Sequence, residues 1–164
     1  MDFSGTFFTA SYQSHIFIKI EGWAIQNNSL FFKNFVDEMV AAGFNDFVID
    51  LQNCKGMDST FMGTLLYIIN QVKMGPSSPI TLVNMSEEHC DLLKNLGIFD
   101  LLNITTQNIA FPNLEMQKLS LDTSYCPRQH IELVKKAHEC LVVLNDKNKE
   151  EFRDFLEILN QELE

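Results

Sequence analysis

The segment Phe47–Leu66 constrains the fold of this chain more than any other. It opens with three apolar residues typical of a strand and continues through Asn53, Lys55 and Gly56, which predict a turn. An aspartate and two hydroxyl residues follow, and then a run that is apolar on nearly every side, which predicts a mostly buried helix. The segment therefore places side-chain hydroxyls at the beginning of a helix.

Composition narrows the classes of partner. The chain has 164 residues, 46% of them hydrophobic, which is enough for one domain with an extension. With 12 basic against 22 acidic residues, its net charge of -10 repels nucleic-acid phosphates and anionic lipids, so neither partner is expected. No stretch approaches the roughly 20 apolar residues of a membrane span, and the N-terminus does not resemble a signal peptide. We therefore expect no membrane insertion and a cytoplasmic location.

The order of patterns predicts an α/β domain over residues 1–111. Phe3–Ala10 and His15–Glu21 are strand-like and close enough to form an antiparallel hairpin. Helical and strand patterns then alternate at short spacings, which favours crossover connections and a largely parallel sheet. Ile80–Val83 is the next strand after the apolar helix, and another helix follows it.

Residues 112–127 have weak periodicity and are predicted to be a linker, with a short strand at Lys118–Leu121. Residues 128–164 predict two amphipathic helices, Arg128–Leu144 and Lys149–Leu163, with Asn148 capping the second. The short break between them predicts a helical hairpin. Its apolar face either packs on the domain or forms a homodimer or partner contact, and helical spacing does not distinguish these alternatives.

The hydroxyl residues allow two interpretations. Asp58 has the position of a helix N-cap, and Ser59 and Thr60 follow it as first-turn residues, which is a common structural arrangement. A hydroxyl at a helix N-terminus is also exposed and close to free N–H groups that favour an added phosphate. Spacing alone favours the purely structural interpretation.

Other reactive side chains lack the partners that catalysis requires. Cys54 beside Lys55 has no base placed by sequence, so a buried or idle thiol is the favoured interpretation. Asp50 and Asp58 could act as a catalytic acid–base pair only if both carboxylates lined one pocket. The four histidines form no i, i+4 pair, and the four cysteines form no CxxC pair. We therefore predict no catalytic residue, no metal site and no cofactor.

The chain resembles the STAS family, the domain of anti-sigma factor antagonists, over about residues 1–111. The matching elements are a strand ending at Asp50-Leu51, the helix start Met57–Thr60, and Gly63 within that helix; farther on they are Leu82–Asn84, Ser86, Leu92–Ile98 and Leu101-Leu102. The resemblance implies a small mixed or parallel sheet with helices mainly on one face. The C-terminal hairpin is then an extension of that fold.

The resemblance also implies a function. An antagonist of this family binds an anti-sigma factor with a serine kinase fold when it is unphosphorylated, and phosphorylation releases it; a PP2C-type phosphatase resets the switch. Ser59 matches the phosphorylated serine, with Thr60 as the fallback acceptor, so the chain is expected to be a regulator and not an enzyme. The residues expected to contact the partner surround this serine: Lys55, Met57, Asp58, Ser59, Thr60, Phe61 and Met62. The alternative is a STAS subunit that docks on a cytosolic transporter ATPase without being phosphorylated.

Overall fold

A computed structural model describes residues 2–72, 77–105, 113–120 and 126–164. Within these residues the chain forms six strands, five α-helices and one 3-10 turn. In chain order they are β1 Gly5–Tyr12, β2 His15–Ala24, α1 Gln26–Ala41, β3 Phe47–Met57, α2 Ser59–Gln71, β4 Ile80–Val83, α3 Glu87–Leu96, the 3-10 turn Phe99–Leu101, β5 Asn103–Ile104, β6 Gln117–Lys118, α4 Pro127–Val142 and α5 Asp146–Glu162.

The strands form one mixed sheet in the order β5-β4-β3-β2-β1-β6. Strands β2 to β5 run parallel to one another, whereas β1 is antiparallel to β2 and to β6. Helices α1, α2 and α3 make the crossovers that parallel neighbours require. The predicted hairpin and the predicted α/β fold with a mixed sheet are confirmed.

One face of the sheet carries the core. On β2, Ile16, Ile18 and Ile20 are buried, whereas the alternating Phe17 and Lys19 are only half-buried. This period of two follows from the pleat of a strand, which sends successive side chains to opposite faces. The helices pack mainly on the buried face, as the resemblance implied.

Strand β3 is longer than the sequence predicts. Asn53, Lys55 and Gly56, which were predicted to form a turn, continue the strand as far as Met57. The prediction was wrong because the second half of β2 runs alongside these residues and pairs with them past two register shifts. Asp58 and helix α2 follow directly after the end of this longer strand.

Helices α4 and α5, which we call the C-terminal hairpin, pack on each other, and α4 also packs on α2. Strand β6 lies inside the predicted linker and extends the sheet beyond β1, where Leu119 N–H donates to the Phe7 carbonyl at 2.8 Å. The predicted boundary at residues 111–112 lies outside the described residues.

Helix α5 begins three residues before the predicted Lys149, and its N-cap is Asn145, not Asn148. Asn145 Oδ1 accepts from the Asn148 N–H at 2.8 Å. The Asn148 side chain is fully buried, and its amide donates to the carbonyls of Leu96 at 2.8 Å and Leu141 at 2.9 Å. Asn148 therefore fixes the start of α5 to the ends of α3 and α4.

Candidate functional site

Asp58 joins the N-termini of two helices. Its Oδ1 accepts from the Phe61 N–H at 2.9 Å, which makes it the predicted N-cap of α2. Its Oδ2 accepts from the Gln26 N–H, the first residue of α1, at 2.7 Å. A carboxylate is favourable here because helix N-termini carry unpaired N–H groups and partial positive charge. The two helices therefore begin at one point beyond the parallel strands.

Ser59 is the first residue of α2 and is half-buried. Its Oγ lies 2.9 Å from Nε2 of His138 in α4. The other ring nitrogen, Nδ1, lies 2.7 Å from the Val134 carbonyl, which only accepts, so we assign the ring proton to Nδ1. Nε2 is then an acceptor, and the Ser59 hydroxyl donates to it.

His138 lies in an apolar setting. Its side chain is 1% exposed and meets the rings of Phe152 and Phe155 edge-on, with centroids 4.9 and 4.8 Å away. Burial lowers the pKa of His138, against the opposing effects of the Val134 carbonyl and the Asp58 charge. A neutral imidazole with both nitrogens hydrogen-bonded fits this site.

Four of the residues predicted to contact a partner are buried: Met57, Thr60, Phe61 and Met62. Phe61 is 0% exposed and packs against the rings of Phe32 and Phe7, with centroids 5.1 and 6.2 Å away. Phe61 therefore faces β1 and α1, whereas Met57 is the last residue of β3. Lys55 is exposed, and Asp58 and Ser59 are half-buried, so these three offer the accessible surface at the site.

The outer face of α2 is covered by α4. At Gly63 a Cβ atom would lie 2.6 Å from the Ala137 carbonyl oxygen, so the two backbones approach too closely for any side chain. Farther along, Asn70 Nδ2 lies 3.8 Å from the Cys140 Sγ.

The role of His138 was missed, because sequence spacing does not pair residues so far apart. Gly63 was the available signal, since a glycine inside a helix often marks close packing.

A second contact lies between α1 and α4. Gln26 Nε2 and His130 Nε2 are 3.3 Å apart, so the first residue of α1 contacts the first turn of α4. Burial lowers the pKa of His130. Both helix starts beside Asp58 are therefore in contact with the C-terminal hairpin.

The remaining candidates have structural surroundings. Burial raises the pKa of Cys54, whose thiol donates to the Gly56 carbonyl, so this cysteine lacks the features of an activated nucleophile. Asp50 is buried and accepts from Asn84 Nδ2 and the Gln52 N–H at 3.0 and 2.9 Å.

Among the described residues, no three His, Cys, Asp or Glu side chains converge to hold a metal ion. Nor is any helix in the described part of the chain long and apolar enough to cross a membrane.

Similar structures support the fold. A crystal structure of an anti-sigma factor antagonist from Mycobacterium paratuberculosis is 14% identical, with a TM-score of 0.54 over 63% of this chain and 87% of that one. The anti-sigma factor antagonist SpoIIAA in its unphosphorylated form is 13% identical, with a TM-score of 0.53 over 62% and 89% of the two chains. A protein from Thermotoga maritima is 19% identical, with a TM-score of 0.52 over 60% and 84%. Identities this low establish the fold alone.

The sequence match to a family is more direct. No curated protein matches the chain by sequence. Residues 9–110, which include Ser59 and all of α2 and α3, match the STAS domain, whereas the C-terminal hairpin lies beyond the matched segment. This chain therefore belongs to the STAS domain family.

Proposed function

We propose that the protein is a partner-switching regulator of the anti-sigma factor antagonist type. In its unphosphorylated form it binds an anti-sigma factor that has serine kinase activity, and phosphorylation of Ser59 releases it. The observation that carries the proposal is the position of Ser59, first in α2 and directly after the N-cap Asp58. The similarity to two anti-sigma factor antagonists, one of them described in its unphosphorylated form, supports this choice of partner.

The chemistry at Ser59 suits a reversible phosphate. The γ-phosphoryl group of ATP is transferred to Oγ, the hydroxyl proton is lost, and ADP leaves. The first turn of α2 supplies N–H groups and the positive end of the helix dipole, which stabilise an anion there. Thr60, the fallback acceptor, is only 3% exposed, so the geometry favours Ser59 as the site.

A phosphate on Ser59 would repel an acidic partner surface. It adds about -1.5 to -2 charges beside the carboxylate of Asp58. Each unit of this charge would repel one acidic group of the partner at about 4 Å by roughly 4 kcal/mol at an effective dielectric near 20. Because about 1.4 kcal/mol changes affinity tenfold, this repulsion suffices to dissociate a micromolar complex. Lys55, Asp58 and Ser59 form the accessible part of the proposed contact. A PP2C-type phosphatase would restore the neutral serine.

A second function is favoured by a different observation. The Ser59 hydroxyl is already hydrogen-bonded to a buried histidine, which is compatible with a domain that is never phosphorylated. Such a domain would dock on a cytosolic transporter ATPase. Binding to a transporter that is indifferent to Ser59→Asp would favour this function over the first.

The direct test is phosphorylation by the proposed partner, the cognate anti-sigma factor with serine kinase activity. The purified chain is incubated with the kinase and ATP, and its intact mass is measured. We expect one added phosphoryl group on the wild type and none on Ser59→Ala. Ser86→Ala, which changes the N-cap serine of α3, is the matched control and should be modified like the wild type. If the wild type gained no phosphoryl group, or if Ser59→Ala gained as much mass as the wild type, Ser59 would not be the phosphorylation site.

A further inference from the structure

The C-terminal hairpin occupies the face of α2 that carries Ser59. The residues of α2 that meet α4 recur along one side of the helix: Ser59, Gly63, Tyr67 and Asn70. These positions lie three or four residues apart, so they form one continuous stripe. The stripe belongs to the segment that matches the family, whereas α4 and α5 lie outside it. The C-terminal hairpin therefore lies outside the family's matched segment and packs on α2, the helix that carries the proposed phosphorylation site.

A phosphate on Ser59 does not fit this arrangement. The Oγ–Nε2 distance of 2.9 Å is one hydrogen-bond length, with no space between the two atoms for a phosphorus atom and three oxygens. The rings of Phe152 and Phe155 in α5 pack against His138 and oppose its withdrawal. The backbone of α4 is also held against α2 at Gly63 and Ala137.

Rotation of the serine toward solvent does not remove the conflict. The phosphorylated side chain would then leave Nε2 of His138 buried without a hydrogen-bond donor, which is unfavourable. The added charge would also lie beside the carboxylate of the adjacent Asp58, which repels it. Both placements of the phosphate weaken the contact between α4 and α2.

We propose that the C-terminal hairpin is an intrachain competitor at the Ser59 end of α2, and that its docking and the phosphorylation of Ser59 exclude each other. The inference rests on the proposed function, since it concerns regulation of the same serine. It has two consequences. The docked hairpin slows the kinase, and a phosphate on Ser59 releases the hairpin from α2.

The first test needs no kinase and uses Cys140, which is half-buried at the α2–α4 contact. Burial raises the pKa of its thiol, so both access and thiolate content should rise when the hairpin undocks. The full-length chain is labelled with a maleimide, and each cysteine is followed by peptide mass spectrometry. Cys54, buried in the core of the sheet domain, reports global unfolding in the same sample.

We expect Ser59→Asp to raise the labelling rate of Cys140 about tenfold, the ratio given by 1.4 kcal/mol, with Cys54 unchanged. Ser86→Asp is the matched control, because it places the same charge at the N-cap of α3, and it should leave Cys140 unchanged. An unchanged or slower rate at Cys140 in Ser59→Asp would overturn the inference. So would an equal rise at Cys54, since the charge would then destabilise the whole domain.

The second test locks the hairpin. Asn70→Cys places a thiol opposite Cys140, and oxidised glutathione accepts the two electrons and two protons released as the disulfide forms. We expect the cross-linked variant to be phosphorylated about tenfold more slowly than its reduced form, with no redox dependence in the wild type. Equal rates in the two forms, or failure of the cross-link to form, would contradict the inference. If the kinase modified neither form nor the wild type, the proposed function itself would fail.

Discussion

The Ser59 hydroxyl donates a 2.9 Å hydrogen bond to His138 Nε2, although 79 positions separate the two residues in the chain. The bond ties the first residue of α2, inside the STAS domain, to a helix beyond the segment that matches the family. The same serine is the proposed phosphorylation site. The contact therefore couples the proposed switch to the docking of the C-terminal hairpin.

Replacing His138 should destabilise the protein. His138→Ala removes the Ser59 bond and leaves a void beside Phe152 and Phe155, so we expect a loss of about 2–3 kcal/mol in the free energy of unfolding. Urea unfolding measures this loss. His130→Ala, on the half-buried part of the same helix, is the control and should cost less. Equal losses for the two variants would show that His138 has no special structural role.

Gly63 should be required for docking. A methyl group there would meet the Ala137 carbonyl at 2.6 Å, so in Gly63→Ala the two helices must separate. This cost opposes the gain of about 1 kcal/mol that alanine has over glycine in a helix. We expect a net loss of stability and faster maleimide labelling of Cys140.

Gly43→Ala is the control for that substitution. Nothing lies within 4 Å of a Cβ at Gly43, and only its φ of +100° disfavours a side chain. It should lower stability by about 1–2 kcal/mol without changing the Cys140 rate. A Gly63→Ala protein that is as stable as the wild type, with unchanged Cys140, would disprove close packing at this point.

Stability should depend on pH through His138. Burial lowers its pKa in the folded state, so the unfolded chain binds the proton more readily. The stability from the neutral ring is therefore complete above the ordinary histidine pKa of about 6.5. It is lost as the pH falls from there toward the lower folded value.

His89 and His130 have pKa values lowered by burial too, so the wild type alone does not isolate this effect. We expect the fall in unfolding free energy between about pH 7.5 and pH 5 to be smaller in His138→Gln than in the wild type. Urea titrations at several pH values measure both slopes. Identical slopes would mean that His138 does not contribute to the acid sensitivity.

Local patterns predicted the sheet domain well. The alternation Ile16, Ile18, Ile20 placed one face of β2 in the core, and Asp58 followed by hydroxyl residues marked the start of α2. Both features depend on neighbours in the chain. The polar end of β3 was misjudged because its pairing with β2 comes from a distant segment.

The site was predicted only in part for the same reason. Sequence spacing gave Ser59 and its cap, but the partner of the hydroxyl lies on a helix whose apolar face was assigned to no particular surface. The pattern of an amphipathic helix does not predict which residue will form a hydrogen bond with a histidine on its apolar face. The burial of Phe61 and Met62 likewise depends on how α2 lies on the sheet.

Binding to the partner tests the central claim most directly. Isothermal titration calorimetry of the unphosphorylated chain against the proposed partner, the cognate anti-sigma factor serine kinase, should give a measurable complex. We expect Ser59→Asp to weaken that complex at least about tenfold, and Ser86→Asp to leave it unchanged. Equal affinity of the wild type and Ser59→Asp would contradict the proposal that charge at Ser59 controls partner binding.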